Sequence, residues 1–196
     1  LREAGANELM FFTSLYHGYR LLQRRYPKRA IYTLETDRVF YEPDLSLYRD
    51  CSLKPERSLD APHVDYLATL TPACHAEGLR ISALIPMCAG ERIAHAHPDL
   101  AVTNLYGCRD RMFLCYNNPD VRAYRQAMVR DIVGRYEIDA LILDKIPQTM
   151  LEQSAFSGVF DPPLRTVGSL CFCQHCNARA RKSGLDLDEV QARAVE

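Results

Sequence analysis

The chain has 196 residues, 47% of them apolar and 25% charged, with a formal net charge of −1. That balance suffices to bury one domain's core and excludes a disordered tail, and it offers no basic surface for nucleic acid and no apolar run of about 18 residues for a membrane span. With no basic-then-apolar leader ahead of a small-residue cleavage site, a cytoplasmic protein is the expectation, and a homo-oligomer is left open.

The elements follow one another as short apolar runs and longer amphipathic ones. Residues 8–14, ELMFFTS, predict a strand, and 17–26, HGYRLLQRRY, a helix whose basic end is solvated. AIYTLE at 30–35 predicts a second strand, followed after a loop by a helix over 61–79 that closes near Gly78. RISALIPM at 80–87 predicts a third strand, then an irregular stretch. The clearest helix covers 118–136: Asn117 or Asn118 caps it, Pro119 takes the first helical position, and Val121, Tyr124, Met128 and Ile132 form a core stripe. DALILDKI at 139–146 predicts a fourth strand. Strand-then-helix units in this order predict a parallel sheet with crossover helices, within one domain or the front part of one. The chain opens on Leu1 rather than Met, and the Asp186–Glu189 spacing starts a helix at about Leu187 just before the sequence stops, so a fragment is expected.

The loops after the second, third and fourth strands are far longer than the usual connection of about 2 to 6 residues. In parallel α/β folds such loops gather at the carboxyl ends of the strands, where ligands bind. The chemistry is therefore sought there.

Eight cysteines stand at 51, 74, 88, 108, 115, 171, 173 and 176, the last three within CFCQHC. A disulfide inside that hexapeptide closes a very tight ring, whereas thiolates at C-x-C-x-x-C spacing converge readily on one tetrahedral ion. Zinc takes four ligands, so a distant partner is required. Cys115, ending the loop after the third strand, is the first candidate; Cys108 is an alternate, and His175 can replace one thiolate. Cys51, Cys74 and Cys88 read as ordinary buried thiols.

FLCYNNPDVRAYRQAMVRDIVGRYEIDALILD followed by CFCQHC resembles the zinc-containing β-galactosidases of glycoside hydrolase family 42 and a broader group of glycoside-hydrolase-like barrels. The likeness covers about 98–180, and the paired cysteine motifs are its specific part. It implies a TIM-type (β/α)8 barrel with about its first four strands in residues 1–196. It also implies a structural zinc held by Cys115, Cys171, Cys173 and Cys176 in a zinc-binding loop at 108–176. Where those galactosidases end the fourth strand in Asn-Glu, this sequence has Leu143-Asp144, followed by Lys145.

Hydrolysis of a glycosidic bond uses two carboxyl groups across the scissile bond. Asp144, at a strand's carboxyl end, is the catalytic candidate. Glu35, Asp37, His97, Lys145 and His17 are substrate-binding candidates, with His95 a lesser one and Tyr32, Phe40, Tyr41 and Tyr106 a candidate sugar platform. The expectation is thus a glycoside hydrolase with a carbohydrate substrate and a structural zinc, set against a non-catalytic carbohydrate-binding barrel. A catalytic-zinc hydrolase ranks below both, because four thiolates leave no open coordination position.

Overall fold

A computed structural model describes residues 2–15, 19–20, 32–33, 35–146 and 167–195. Its strands are β1 Glu8–Phe12, β2 Tyr19–Arg20, β3 Tyr32–Thr33, β4 Arg38–Val39, β5 Glu56–Arg57, β6 Arg80–Pro86, β7 Ala101–Thr103, β8 Arg109–Leu114 and β9 Ala140–Asp144. Its helices are α1 Tyr66–Ala76, α2 Glu91–Ala96, α3 Pro119–Arg135, α4 Gln174–Lys182 and α5 Leu187–Val195. The chain divides into two compact units, Leu1–Met87 with Ala123–Asp144, and Cys88–Arg122 with Lys145–Glu196.

The first unit is built on β6, whose residues after Arg80 are all buried, as befits a central parallel strand covered on both faces. It lies between β1 and β9, with Phe12 opposite Leu84 and Asp144 opposite Pro86, so the three strands end at one carboxyl edge. Helix α1 starts where Asp65 accepts the Ala68 N–H at 2.9 Å. It stops at Gly78, whose φ of +66° lets Leu79 N–H reach the Cys74 carbonyl and Gly78 N–H that of His75. Leu79 then packs on Cys74 and Ile81, joining helix end to strand start in one apolar cluster. On α3, Tyr124, Met128 and Ile132 are buried, as their spacing predicts.

The same helix face carries a charge the apolar stripe does not announce. Asp131 is fully buried and accepts from Asp44 N–H at 3.0 Å, the Tyr48 hydroxyl at 3.2 Å and Arg135 at 3.1 Å, while Tyr48 pairs with the Tyr41 hydroxyl. Burial pushes the Tyr41 and Tyr48 phenols up, so both stay neutral hydrogen-bonding groups. This network fastens residues 41–48 to α3.

The second unit contains α2, the antiparallel ribbon β7–β8, the first turn of α3, and α4 and α5. Asn118, not Asn117, caps α3: its side-chain oxygen accepts the Asp120 N–H at 2.9 Å. Gly184, at φ +77°, ends α4 as Gly78 ends α1, with Leu185 N–H on the Ala180 carbonyl.

The expectation of a TIM-type (β/α)8 barrel, with its first four strands in sequence order, is overturned. The described residues form a three-stranded parallel sheet in the order β1-β6-β9 and two-stranded ribbons β2-β3, β4-β5 and β7-β8. β1 pairs directly with β6, leaving no place between them for the strand predicted at 30–35, whose Tyr32 and Thr33 instead pair antiparallel with Tyr19 and Arg20. Those two residues thereby form strand where a helix was predicted over 17–26. The physical reason is that apolar alternation marks a segment as strand without naming its partner, and a two-residue ribbon satisfies the same pattern locally. The stretch predicted as irregular after the third strand likewise holds α2 and the β7–β8 ribbon.

Candidate functional site

Four sulfurs meet in the second unit. Cys115 follows β8, its N–H bound to the Leu100 carbonyl at 2.8 Å; Cys173 stands at the N-cap of α4 and Cys176 in that helix's first turn. Cys171 is brought in by Thr103 of β7, which donates its N–H to the Cys171 sulfur at 3.4 Å and accepts the Phe172 N–H at 2.8 Å. All four ligand atoms lie within 4.8 Å of one another, with Cys115 at 3.5 Å from both Cys173 and Cys176. All are free thiols, and Cys115, Cys171 and Cys176 are buried.

A tetrahedral ion with metal–sulfur bonds of about 2.3 Å requires sulfurs about 3.8 Å apart, so this cluster has the dimensions to hold one. Its electrostatics agree. Hydrogen bonding with Cys115, then with Cys171 and Cys176, holds the Cys173 thiol below its usual range, while hydrogen bonding with Cys171, Cys173 and Cys176 drives Cys115 above it. Four sulfurs this close cannot all give up their protons unless a cation sits among them. The Asn117 amide donates to the Cys176 sulfur at 3.2 Å, supporting that thiolate from outside the set. Neither alternate ligand joins: Cys108 is exposed, and His175 contacts the Gln174 side chain at 3.4 Å.

The carboxylate candidates belong to the first unit. Asp144 ends β9, half-buried, and its carbonyl accepts the Met87 N–H at 2.7 Å just past β6. After β1, Thr13 bonds back to the Leu84 carbonyl and forward to Phe40 N–H, and the Asp37 N–H donates to the Leu15 carbonyl at 2.6 Å. Asp37 thus follows from the carboxyl end of β1; it is 4% exposed, with a left-handed φ of 59°. Glu35 uses both oxygens on the Leu59 N–H, at 2.6 and 2.9 Å, and one on that of Asp60, a loop-holding task. Arg125, unmarked by the sequence reading, is buried with its Nε on the Met87 carbonyl at 3.1 Å. Its signal was there, since it falls four residues after Val121 on the buried face of α3.

In the second unit, Lys145 has a left-handed φ of 57° and its carbonyl accepts the Cys88 N–H. His97 and His95 are exposed at the end of α2. Of the aromatic candidates, Tyr41 is core, Phe40 is half-buried and Tyr106 is exposed. His17 and the Tyr32 side chain lie outside the described residues.

No protein-family model matches the chain, and no curated protein matches it. What the fold defines is an α/β chain with a parallel three-stranded sheet. Among solved structures it is similar to an alpha-L-fucosidase, isoenzyme 2, from Paenibacillus thiaminolyticus, with a TM-score of 0.59 at 16% identity over 99% of this chain. The chain spans 24% of that protein's length, and the likeness is one of fold. No helix among the described residues is long and apolar enough to cross a membrane.

Proposed function

We propose that the chain is part of a glycoside hydrolase, with Asp144 as a catalytic carboxyl group and with Cys115, Cys171, Cys173 and Cys176 as the ligands of a structural zinc. The reading is carried by the place of Asp144, at the carboxyl edge of a parallel sheet in a fold like that of a solved alpha-L-fucosidase. Asp37, whose N–H binds the Leu15 carbonyl past the end of β1, is the second carboxylate candidate. Lys145 holds a backbone conformation that costs about 1–3 kcal/mol for such a residue, the kind of strain functional sites retain. Glu35, already held by amides, has a lesser part.

The zinc has no part in bond breaking in this reading. Four thiolates close its coordination sphere, and its task is to order the segment around 171–176 against β7 and β8. Cys171 and Cys115 are the ligands that make that tie.

The test is turnover on a panel of aryl glycosides that includes α-L-fucoside and β-galactoside. Asp144→Asn is expected to lower turnover by about 10²–10⁴-fold on the substrate used, with the fold intact by circular dichroism. Undiminished turnover in that variant removes Asp144 from the mechanism. A second reading, carbohydrate binding without hydrolysis, is favoured by one observation: Glu35 is committed to backbone amides. It predicts sugar binding that Asp144→Asn weakens, with no turnover of any member of the panel.

A further inference from the structure

A cleft of about 420 Å³ lies in the same unit as the cysteines and is lined by Asn117, Arg122, His175, Ala178, Arg179 and Lys182. Three of these side chains are permanent cations, in a chain whose net charge is −1. The ordinary explanation for basic residues late in a helix is the macrodipole, and it covers Arg179, Arg181 and Lys182 in the last turn of α4. It does not cover Arg122. That residue stands in the first turn of α3, where the positive end of the helix opposes a cation.

Pairing does not explain the cluster either. The neighbouring Arg181 is matched by Asp188 at 2.5 Å, and Arg193 by Glu189 at 2.5 Å. Arg122, Arg179 and Lys182 have no carboxylate partner among the described residues. The helical spacing of Arg179 and Lys182 sets the two cations on one face of α4, a like-charged pair that an anion between them would stabilise. Asn117 reaches into this arrangement. Its Oδ1 accepts from Arg179 at 3.5 Å while its Nδ2 donates to the Cys176 sulfur, so one guanidinium is steered by a residue fastened to the cysteine cluster.

We propose that this cleft binds a compact oxyanion, a phosphate or the phosphoryl group of a small molecule. Two guanidinium groups and an ammonium lining one concavity are donors that such oxygens take. The site shares no residue with the proposed carboxylates or zinc ligands, so its test stands apart from the glycosidase reading.

Isothermal titration of the protein with inorganic phosphate, and separately with a hexose phosphate, tests it. Saturable binding is expected, weakened about tenfold by Arg179→Ala and again by Arg122→Ala, the loss of one charge-assisted contact each. Arg181→Ala, on the same helix but outside the cleft, leaves the affinity unchanged. Tighter binding of the hexose phosphate identifies a phosphoryl group on a small molecule as the ligand, and equal binding identifies free phosphate. Absence of saturation with both probes, affinity that Arg122→Ala and Arg179→Ala leave untouched, or binding confined to a polynucleotide and lost with salt overturns the proposal.

Discussion

The two units are ordered by different means. The first has a parallel sheet whose central strand is buried along almost its whole length, with Leu67, Tyr124, Met128 and Ile132 buried on its helices. The second has a short ribbon and small helices, and its clearest long-range tie is a knot of four sulfurs drawn from positions 115 and 171–176. A unit with a continuous apolar core holds its polar network as an addition. The second unit buries Ile93, Leu100, Leu105, Phe113 and Leu114 as well, and its sulfur cluster adds a tie that orders residues 171–176, since ordering loops is costly in chain entropy. The difference predicts that perturbations will separate the two.

The largest effect is expected at the sulfurs. Cys173→Ser, or treatment with a strong chelator, removes a site of a kind that contributes about 10–16 kcal/mol of apparent binding free energy in small zinc domains. Hydrogen exchange should then show lost protection at β7, β8 and α4, with β1, β6 and β9 still protected. Equal loss in both units breaks the comparison.

A smaller effect, confined to the first unit, is expected from Asp131→Ala. It leaves the Asp44 N–H, the Tyr48 hydroxyl and Arg135 without their shared acceptor, at a cost of about 3 kcal/mol in denaturant unfolding. Metal content should not change. If zinc is lost with it, the units are not separable in stability.

The smallest effect concerns pH. Asp139 accepts the Ile81 N–H at 2.8 Å and faces His75 at 3.0 Å, and these partners, the backbone N–H first, hold its carboxyl below the usual carboxylate range. A depressed folded-state pKa contributes stability that is present above the unfolded value of about 3.9 and lost as pH falls through the folded one. Unfolding midpoints should therefore drop on acidification below about pH 4, with a shallower slope in Asp139→Asn. An unchanged slope in that variant removes the pair from acid stability.

Much of the first unit was legible in the sequence, because β1, β6, β9, α1 and α3 each carry their own period, cap or stop. What was not legible was pairing. The residues of AIYTLE have strand chemistry, yet nothing in them says that β1 will choose β6 over them, which is how a parallel sheet came to be read as a barrel. The cysteine cluster was legible because ligand spacing is a chemical constraint independent of fold, and Cys115 joins it as the motif suggested. Thr103 and Asn117, which position that cluster, were not, since a backbone N–H and a side-chain amide leave no signature in composition. Arg125 and Asp131 stood in plain view on the stripe of α3, where a charge on a buried face marks a polar network.

The sulfurs of Cys115, Cys171, Cys173 and Cys176 are expected to share one zinc ion. X-ray absorption at the zinc edge, with metal analysis of the same purified protein, measures it most directly. About one zinc per chain is expected, in a shell of four sulfurs at about 2.3 Å. A shell containing oxygen or nitrogen ligands, or protein whose four cysteines are disulfide-bonded and free of metal, contradicts it.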